Sequence, residues 1–260
     1  MNYTSDQFNI QYLPHYTLLV KTGFHTDTIL VSDENGTVQV MMEYESEQPE
    51  PSALQLLSLP FVRVKIVVPH QSLVFVPNEL FKEEALGDYT QFLMDEQQGN
   101  TLHQKLNLGG VTAVYQFDAI LYNRWKSLFP EAQFIPEFQV ILEQAQQHIP
   151  LQGEVIGVHF GDQTADIFVF LNGQFQLYNT FEVYSVEDLT YYLLRIFSSF
   201  HIKDKVQKLL ISGEIPEEDY RHRLAQLAER VETLTAKIKI SSSDEQVQQQ
   251  LQGLNTLFEY

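Results

Sequence analysis

The sequence of 260 residues contains no cysteine. This absence excludes disulfide bonds, thiol catalysis and cysteine-ligated zinc, and it fits a reducing compartment. The sequence also lacks any apolar run approaching about 18 residues, so no transmembrane helix is expected. Its first residues have neither the basic region nor the apolar region that a signal peptide requires. A cytoplasmic location is therefore the expectation.

Basic residues are scarce. Lysine and arginine together number 16 against 34 aspartates and glutamates, which gives a net charge of −18. Nucleic-acid binding is not expected, because contact with phosphates requires a basic face, and the same negative field repels anionic membranes. The eight histidines are scattered without zinc-ligand spacing, so no metal site is predicted. No Gly-x-Ser-x-Gly or Walker motif occurs.

Hydrophobic residues make up 44% of the chain, which is ordinary for a folded protein. Segments typical of strands alternate with segments typical of helices, which predicts an α/β protein of one large or two small domains. The break at 151–153 suggests domains at 1–150 and 151–260. The predicted helices are 53–59, 77–94, 118–129, 137–148, 185–200, 216–227 and a last helix from Ser243, and a short strand is predicted at 238–240.

Two parts of the sequence share a pattern of strand, glycine-containing turn, strand, Asn-Gly hairpin and strand. Val20 aligns with Val158, and the alignment then places Gly23 on Gly161, Thr26 on Thr164, Ile29 on Ile167 and Val31 on Val169. Chance is one explanation, since strands are apolar and hairpins favour Asn-Gly. The ordered match favours a duplicated unit. Residues from about 70 to 108 have no counterpart in the second half, which predicts an inserted appendage there.

The paired meanders resemble the actin, Hsp70 and sugar-kinase fold. The loop at 159–167 reads HFGDQTADI and is similar to that family's Asp-x-Gly-Gly-Gly-Thr-Thr-Asp-Ile. The segment 21–26 occupies the position at which proteins of that family have Asp-x-Gly in their first half. The segment 209–214 resembles the family's adenosine motif. Over most of 17–215 the pattern is closest to PilM and FtsA, which suggests a bacterial family of unknown function. The resemblance implies two actin-like lobes, each opening with a β-meander, whose loops hold ATP phosphates and Mg²⁺.

The sequence departs from that pattern at five places. Lys21 and His159 each replace an aspartate, and Asp162-Gln163 replaces two glycines. In addition, Glu214 replaces the second adenosine glycine and Tyr184-Ser185 replaces a Gly-Gly pair. A carboxylate ~4 Å from a phosphate costs on the order of 4 kcal/mol at an effective dielectric of about 20. Two such costs together equal the binding free energy of roughly 8 kcal/mol that corresponds to a micromolar dissociation constant. The positive charge of Lys21 could offset one of these two costs.

Two functions remain open. The first is a non-catalytic scaffold or protein-interaction module with a degenerate nucleotide site and an unidentified protein partner. The alternative is a nucleotide-binding protein or weak ATPase with rewired phosphate loops, for which ATP would be the ligand. No catalytic residue, metal ligand or cofactor is predicted for the first. The candidate residues of the vestigial cleft are Lys21, Thr22, Gly23, Thr26, His159, Gly161, Thr164, Asp166 and Gly213.

Overall fold

The computed structural model describes residues 2–93, 101–107, 110–234 and 240–258. Three sheets and their helices confirm the predicted α/β class. The chain forms two compact units: unit 1 comprises 1–140 and 238–260, and unit 2 comprises 141–237. None of the helices in the described ranges is long and apolar enough to cross a membrane.

Strands and helices alternate along the chain. The strands are β1 (Asn2–Thr4), β2 (Thr17–Lys21), β3 (Thr26–Ser32), β4 (Val38–Glu45), β5 (Arg63–Val68), β6 (His70–Pro77), β7 (Leu102–Lys105), β8 (Val111–Phe117), β9 (Gln133–Pro136), β10 (Glu154–Phe160), β11 (Thr164–Leu171), β12 (Gln174–Glu182), β13 (Val206–Gly213) and β14 (Ala228–Thr233). The helices are α1 (Pro51–Leu57), α2 (Leu86–Tyr89), α3 (Ala119–Leu128), α4 (Glu137–Ala145), α5 (Val186–Ser199), α6 (Glu218–Leu227) and α7 (Glu245–Phe258).

The main sheet of unit 1 has six strands in the order β1-β4-β3-β2-β5-β9. Strands β2, β3 and β4 form the predicted antiparallel meander, and β5 pairs with β2 in parallel. The central residues of β2 and β3 are buried. They read as continuous apolar runs because both faces of these strands are covered.

A separate three-stranded sheet, in the order β6-β8-β7, lies between β5 and α3 in the sequence. Strand β8 takes this appendage beyond the predicted end at 108, to Phe117. The predicted helix at 77–94 is wrong, because Pro77 belongs to β6 and only short helical turns follow. The Tyr89 hydroxyl donates to the Leu80 carbonyl and accepts from the Lys82 amide, which holds this segment as a compact loop. Residue 94 lies outside the described residues.

The sheet of unit 2 has five strands in the order β12-β11-β10-β13-β14. Like unit 1, it combines an antiparallel meander with two parallel strands. Helices α5 and α6 bury their apolar faces against it through Leu189, Leu193 and Leu224. Strand β14 was not predicted, because most of its residues are polar and exposed. The two sheets thus share a topology, and their origin by duplication stays a prediction.

The last helix, α7, belongs to unit 1. Val247 and Leu251 pack with Leu19 and Met41 in one buried cluster, and a parallel bridge joins Thr37 to Ser241. The predicted second domain at 151–260 is therefore corrected: the chain enters unit 2 at 141 and returns to unit 1 at 238. The prediction assigned the last helix to the second domain because the helix follows that domain in the sequence. The apolar face of a helix does not indicate which sheet it will cover. Most of the strand predicted at 238–240 lies outside the described residues.

Candidate functional site

Each unit contains one turn that corresponds to a predicted phosphate loop. The first turn joins β2 to β3, and the second joins β10 to β11. The flanking strands pair in the same register, with Val20 opposite Ile29 in one unit and Val158 opposite Ile167 in the other. The residue-by-residue alignment of the two turns is thus the alignment that the sequence predicted.

The glycines of the two turns occupy similar surroundings. A Cβ atom on Gly23 would lie 2.6 Å from the Thr26 carbonyl oxygen, and one on Gly161 would lie 2.6 Å from Thr164 Oγ1. In each turn the glycine therefore lies against the threonine three residues later. The contact with backbone is enough to require glycine at 23, whether or not a phosphate ever approaches it, whereas a Cβ atom at 161 would meet a side-chain hydroxyl.

A buried polar cluster fills the first turn. Asp27 Oδ1 accepts hydrogen bonds from Thr22 Oγ1 at 3.0 Å, from the Gly23 amide at 3.2 Å and from Arg124 at 2.6 Å. The Thr22 hydroxyl in turn accepts from Arg124 at 2.7 Å and from Trp125 Nε1 at 2.8 Å. That hydroxyl thus makes one donated and two accepted hydrogen bonds, which is its full capacity. The groups of this turn that match a phosphate loop are bound within the protein.

The helix α3 supplies the cation and the indole of this cluster. Asp118 caps its start by accepting from the Ile120 and Leu121 amides, which fixes the helix that carries both side chains. Arg124 and Trp125 are adjacent in sequence, and both reach Thr22.

The charges in the cluster are largely withdrawn from water. The Asp27 side chain is 3% exposed and the Arg124 side chain is 29% exposed. Burial raises the pKa of the Asp27 carboxyl above its usual range, while the Arg124 charge and hydrogen bonds from Gly23 and Thr22 act in the opposite direction. Arg124 is therefore the main partner that makes an ionised Asp27 tolerable here.

The candidate side chains of the second turn are also engaged within the protein. His159 is 2% exposed, and its Nδ1 lies 2.8 Å from Ser212 Oγ on the parallel strand β13. Asp166 accepts hydrogen bonds from the hydroxyls of Tyr178 and Thr180 on β12. Its carboxylate therefore ties β11 to β12.

Gln163 keeps a backbone conformation that favours glycine. Its φ of 53° is in the left-handed region, and its carbonyl accepts a hydrogen bond from the Val183 amide. It stands at one of the two positions where the resemblance places glycines. At this residue the turn therefore has a backbone path that glycine adopts readily.

We expect Gln163→Gly to raise the free energy of unfolding by about 0.5–1 kcal/mol. The left-handed region costs a residue with a Cβ roughly 1–2 kcal/mol, and the extra entropy of an unfolded glycine offsets part of this gain. Urea denaturation of both proteins measures the difference. Gln163→Ala is the control, because it removes the same side chain and retains the Cβ. Equal stability of the two variants would contradict the backbone explanation.

The nine candidate residues fall into two groups. Lys21, Thr22, Gly23 and Thr26 lie together in unit 1, and the other five lie together in unit 2. Lys21 ends β2 half-buried, and no carboxylate in the described ranges forms an ion pair with it. Gly213 ends β13 beside Phe160.

Sequence reasoning missed the contribution of α3. Arg124 is 102 residues from Thr22 along the chain, so no local pattern connects them. Asp27 was the one available signal, because it is a charged residue beside the apolar residues of a strand. An aspartate is rarely buried without a partner, so its position indicates that a partner exists. No group of three or more histidine, aspartate or glutamate side chains is placed to hold a metal ion within the described residues.

We compare the chain with two of the solved structures that are similar to it. A protein from Bacteroides thetaiotaomicron, described as having an actin-like ATPase fold and unknown function, is 20% identical, with a TM-score of 0.70 over 87% of this chain and 93% of that one. A PilM–PilN type IV pilus biogenesis complex gives 10% identity, a TM-score of 0.59, and coverage of 93% of this chain and 96% of that one. At these identities the likeness shows the fold, which is the actin-like ATPase fold that the resemblance implied.

No protein of curated function is significantly similar to the chain in sequence. A family model described as "Protein of unknown function (DUF3822)" matches residues 5–230, which include both turns and the strands that flank them. The chain therefore belongs to the DUF3822 family, and its fold is the actin-like ATPase fold.

Proposed function

We propose that the chain is a non-catalytic scaffold that binds a protein partner, and that its nucleotide site is degenerate. The observation that carries the proposal is the cluster at the first turn. The Thr22 hydroxyl and the Gly23 amide, which would have to face a phosphate, are already bound by Asp27, Arg124 and Trp125. Releasing them for a ligand would remove two of the hydrogen bonds that the buried Asp27 carboxylate accepts.

The same contacts argue against a magnesium ion at the first turn. Mg²⁺ prefers carboxylate, phosphate and water oxygens in a near-octahedral arrangement. The Asp27 carboxylate is the buried one here, and its Oδ1 lies 2.6 Å from the Arg124 guanidinium. An arginine in that position competes with a cation for the same oxygen. The residues of this turn therefore do not fit a magnesium–nucleotide complex.

Protein binding by this fold has a precedent in the structurally similar PilM, which occurs in a type IV pilus biogenesis complex with PilN. That complex belongs to PilM, and an identity of 10% carries only the fold to this chain. The precedent nevertheless supports the scaffold function as the hypothesis to test first.

A second candidate function is binding of a metal-free anion at Lys21. Lys21 is half-buried and forms no ion pair with the described carboxylates, in a protein whose net charge is −18. A cation without a carboxylate partner in such a field is unusual and could hold a phosphate group. This candidate requires no magnesium and no catalysis.

We expect calorimetric titration with ATP to show no magnesium-dependent binding tighter than about 10 μM, a range in which a working site would bind. A phosphate-release assay should show no turnover. ATP binding that needs Lys21 but not Mg²⁺ would support the anion candidate, with Lys203→Ala as the charge-matched control for Lys21→Ala. Magnesium-dependent binding or ATP turnover would overturn the scaffold proposal.

A further inference from the structure

The outer face of α5 carries exposed side chains at helical spacing. The inner face of this helix packs against the sheet of unit 2 through buried apolar residues. The outer face presents five exposed residues, which are Glu187, Tyr191, Leu194, Arg195 and Ser198. Residues separated by three or four positions lie on the same face of a helix, so these five form one continuous stripe. We call them the α5 stripe.

The centre of the α5 stripe is apolar and aromatic. Tyr191 is 60% exposed and Leu194 is 51% exposed. The ring of Tyr191 meets the ring of Tyr192 edge-on at 5.5 Å, and the Tyr192 ring lies 4.4 Å from that of Phe181. Tyr191 is thus held from the side while most of it faces water. Tyrosines are enriched at protein interfaces, because they combine a large apolar body with a polar hydroxyl.

Opposite charges lie at equal distances on either side of this centre. Glu187 precedes Tyr191 by four residues, and Arg195 follows it by four. They are separated by eight residues, or about 12 Å along the helix axis, so they do not pair with each other. Neither forms an ion pair with any residue that the structure describes. Along the helix the α5 stripe therefore reads as a negative charge, an aromatic centre and a positive charge.

We propose that the α5 stripe binds the α5 stripe of a second copy of this chain, with the two helices antiparallel about a two-fold axis at Tyr191. In that arrangement Glu187 of each copy faces Arg195 of the other. The two Tyr191 rings meet at the axis, and Leu194 of each copy packs beside them. Such an interface is isologous, because the same surface serves on both sides.

The charge pattern selects both the occupant and the direction of the helices. Parallel helices would place Glu187 against Glu187 and Arg195 against Arg195, which is repulsive. The antiparallel arrangement also brings the exposed Tyr184, seven residues before Tyr191, to Ser198 of the other copy, seven residues after it. The net charge of −18 opposes association, but at an ionic strength of about 0.15 M charges more than roughly 8 Å apart are largely screened. The inference goes beyond the scaffold function and does not depend on what the scaffold binds.

Sedimentation equilibrium of the intact protein over a range of concentrations, at an ionic strength of about 0.15 M, tests the proposal. We expect a reversible monomer–dimer equilibrium. Glu187→Arg and Arg195→Glu should each raise the dissociation constant of the dimer by at least about tenfold, because each replaces two attractive contacts by two repulsive ones. Their controls are Glu47→Arg and Lys203→Glu, which change the net charge equally at exposed positions outside the α5 stripe and should have much smaller effects.

Two rescue experiments separate direct pairing from a general effect of charge or folding. The double variant Glu187→Arg/Arg195→Glu should dimerise like the parent protein, because every facing pair again joins opposite charges. An equimolar mixture of the two single variants should also form a dimer, for the same reason, and its formation shows that both variants are folded. Tyr191→Ala should weaken the dimer by about tenfold, whereas Tyr12→Ala, at another exposed tyrosine, should not.

Three results would overturn the proposal. The first is a protein that stays monomeric at every concentration, which would leave the α5 stripe to a different partner. The second is a dimer that Glu187→Arg and Arg195→Glu do not weaken, and the third is a failure of both rescue experiments. None of these results bears on the scaffold function, which the ATP titration tests separately, so the two failures are distinguishable.

Discussion

Replacing Arg124 by methionine is expected to lower the free energy of unfolding at neutral pH by about 3 kcal/mol. Methionine keeps much of the side-chain length but leaves the buried Asp27 carboxylate without its cationic partner. Removing one member of a buried pair typically costs about 3–5 kcal/mol. We take the lower end because Arg124 is partly exposed and water can enter where its guanidinium was. Chemical denaturation of the variant and the parent protein measures the difference.

The pH dependence of that loss tests its electrostatic origin. Burial already raises the pKa of Asp27 in the folded protein, and losing Arg124 raises it further. A carboxyl with a raised folded-state pKa gives stability that is present below its unfolded pKa and is lost as the pH rises. The Arg124→Met variant should therefore lose more stability at pH 7 than at pH 4. A loss of the same size at both values would indicate lost packing instead.

A double-mutant cycle isolates the pair itself. Asp27→Asn alone leaves Arg124 charged but able to reach water, so its cost should be about 1–2 kcal/mol. The stability lost by the double variant should be smaller than the sum of the two single losses by at least about 1 kcal/mol, because neither charge then remains without its partner. Arg221→Met, at a half-exposed arginine whose Glu218 contact is 4.0 Å long, is the control for the change in net charge. Additive losses would contradict a direct Asp27–Arg124 interaction.

The sequence predicted features that local patterns determine. Val20 and Val158 lie at matching positions of two meanders. This match could be predicted because apolar periodicity and Asn-Gly hairpins can be recognised in short stretches of sequence. The glycines of both turns could be found in the same way. The overall fold was predicted from the resemblance to a known family. Structural similarity to a solved protein of 20% sequence identity confirmed that fold.

Long-range pairing could not be predicted in this way. Arg124 reaches Asp27 from a helix far along the chain, and after unit 2 the chain returns so that α7 covers the sheet of unit 1. In both cases an amphipathic helix has several faces of sheet that it could cover, and sequence periodicity does not choose among them. The candidate residues lie in or beside the two turns and at the end of β13, and nothing in the sequence identified their internal partners.

Gly213 was chosen from the sequence as part of an adenosine motif, and its surroundings give it a structural role as well. Its φ is +81°, and a Cβ atom there would lie 2.1 Å from the Phe160 carbonyl oxygen and 2.8 Å from the Phe160 nitrogen. Both contacts are with backbone atoms of the paired strand β10, which cannot turn away as a flexible side chain can. The glycine is therefore required for β13 to end beside β10.

We expect Gly213→Ala to lower the free energy of unfolding by about 3 kcal/mol or more. The left-handed backbone alone accounts for roughly 1–2 kcal/mol of this loss, and the clash with Phe160 adds the distortion of a buried strand pair. The matched control is Gly110→Ala, where φ is +67° but no described atom lies within 4 Å of the new Cβ. The control should lose about 1–2 kcal/mol, so the difference between the two variants measures the close approach to Phe160. Equal losses would mean that β10 and β13 can separate at this point, and the glycine would then need an explanation in ligand binding, which the ATP titration addresses.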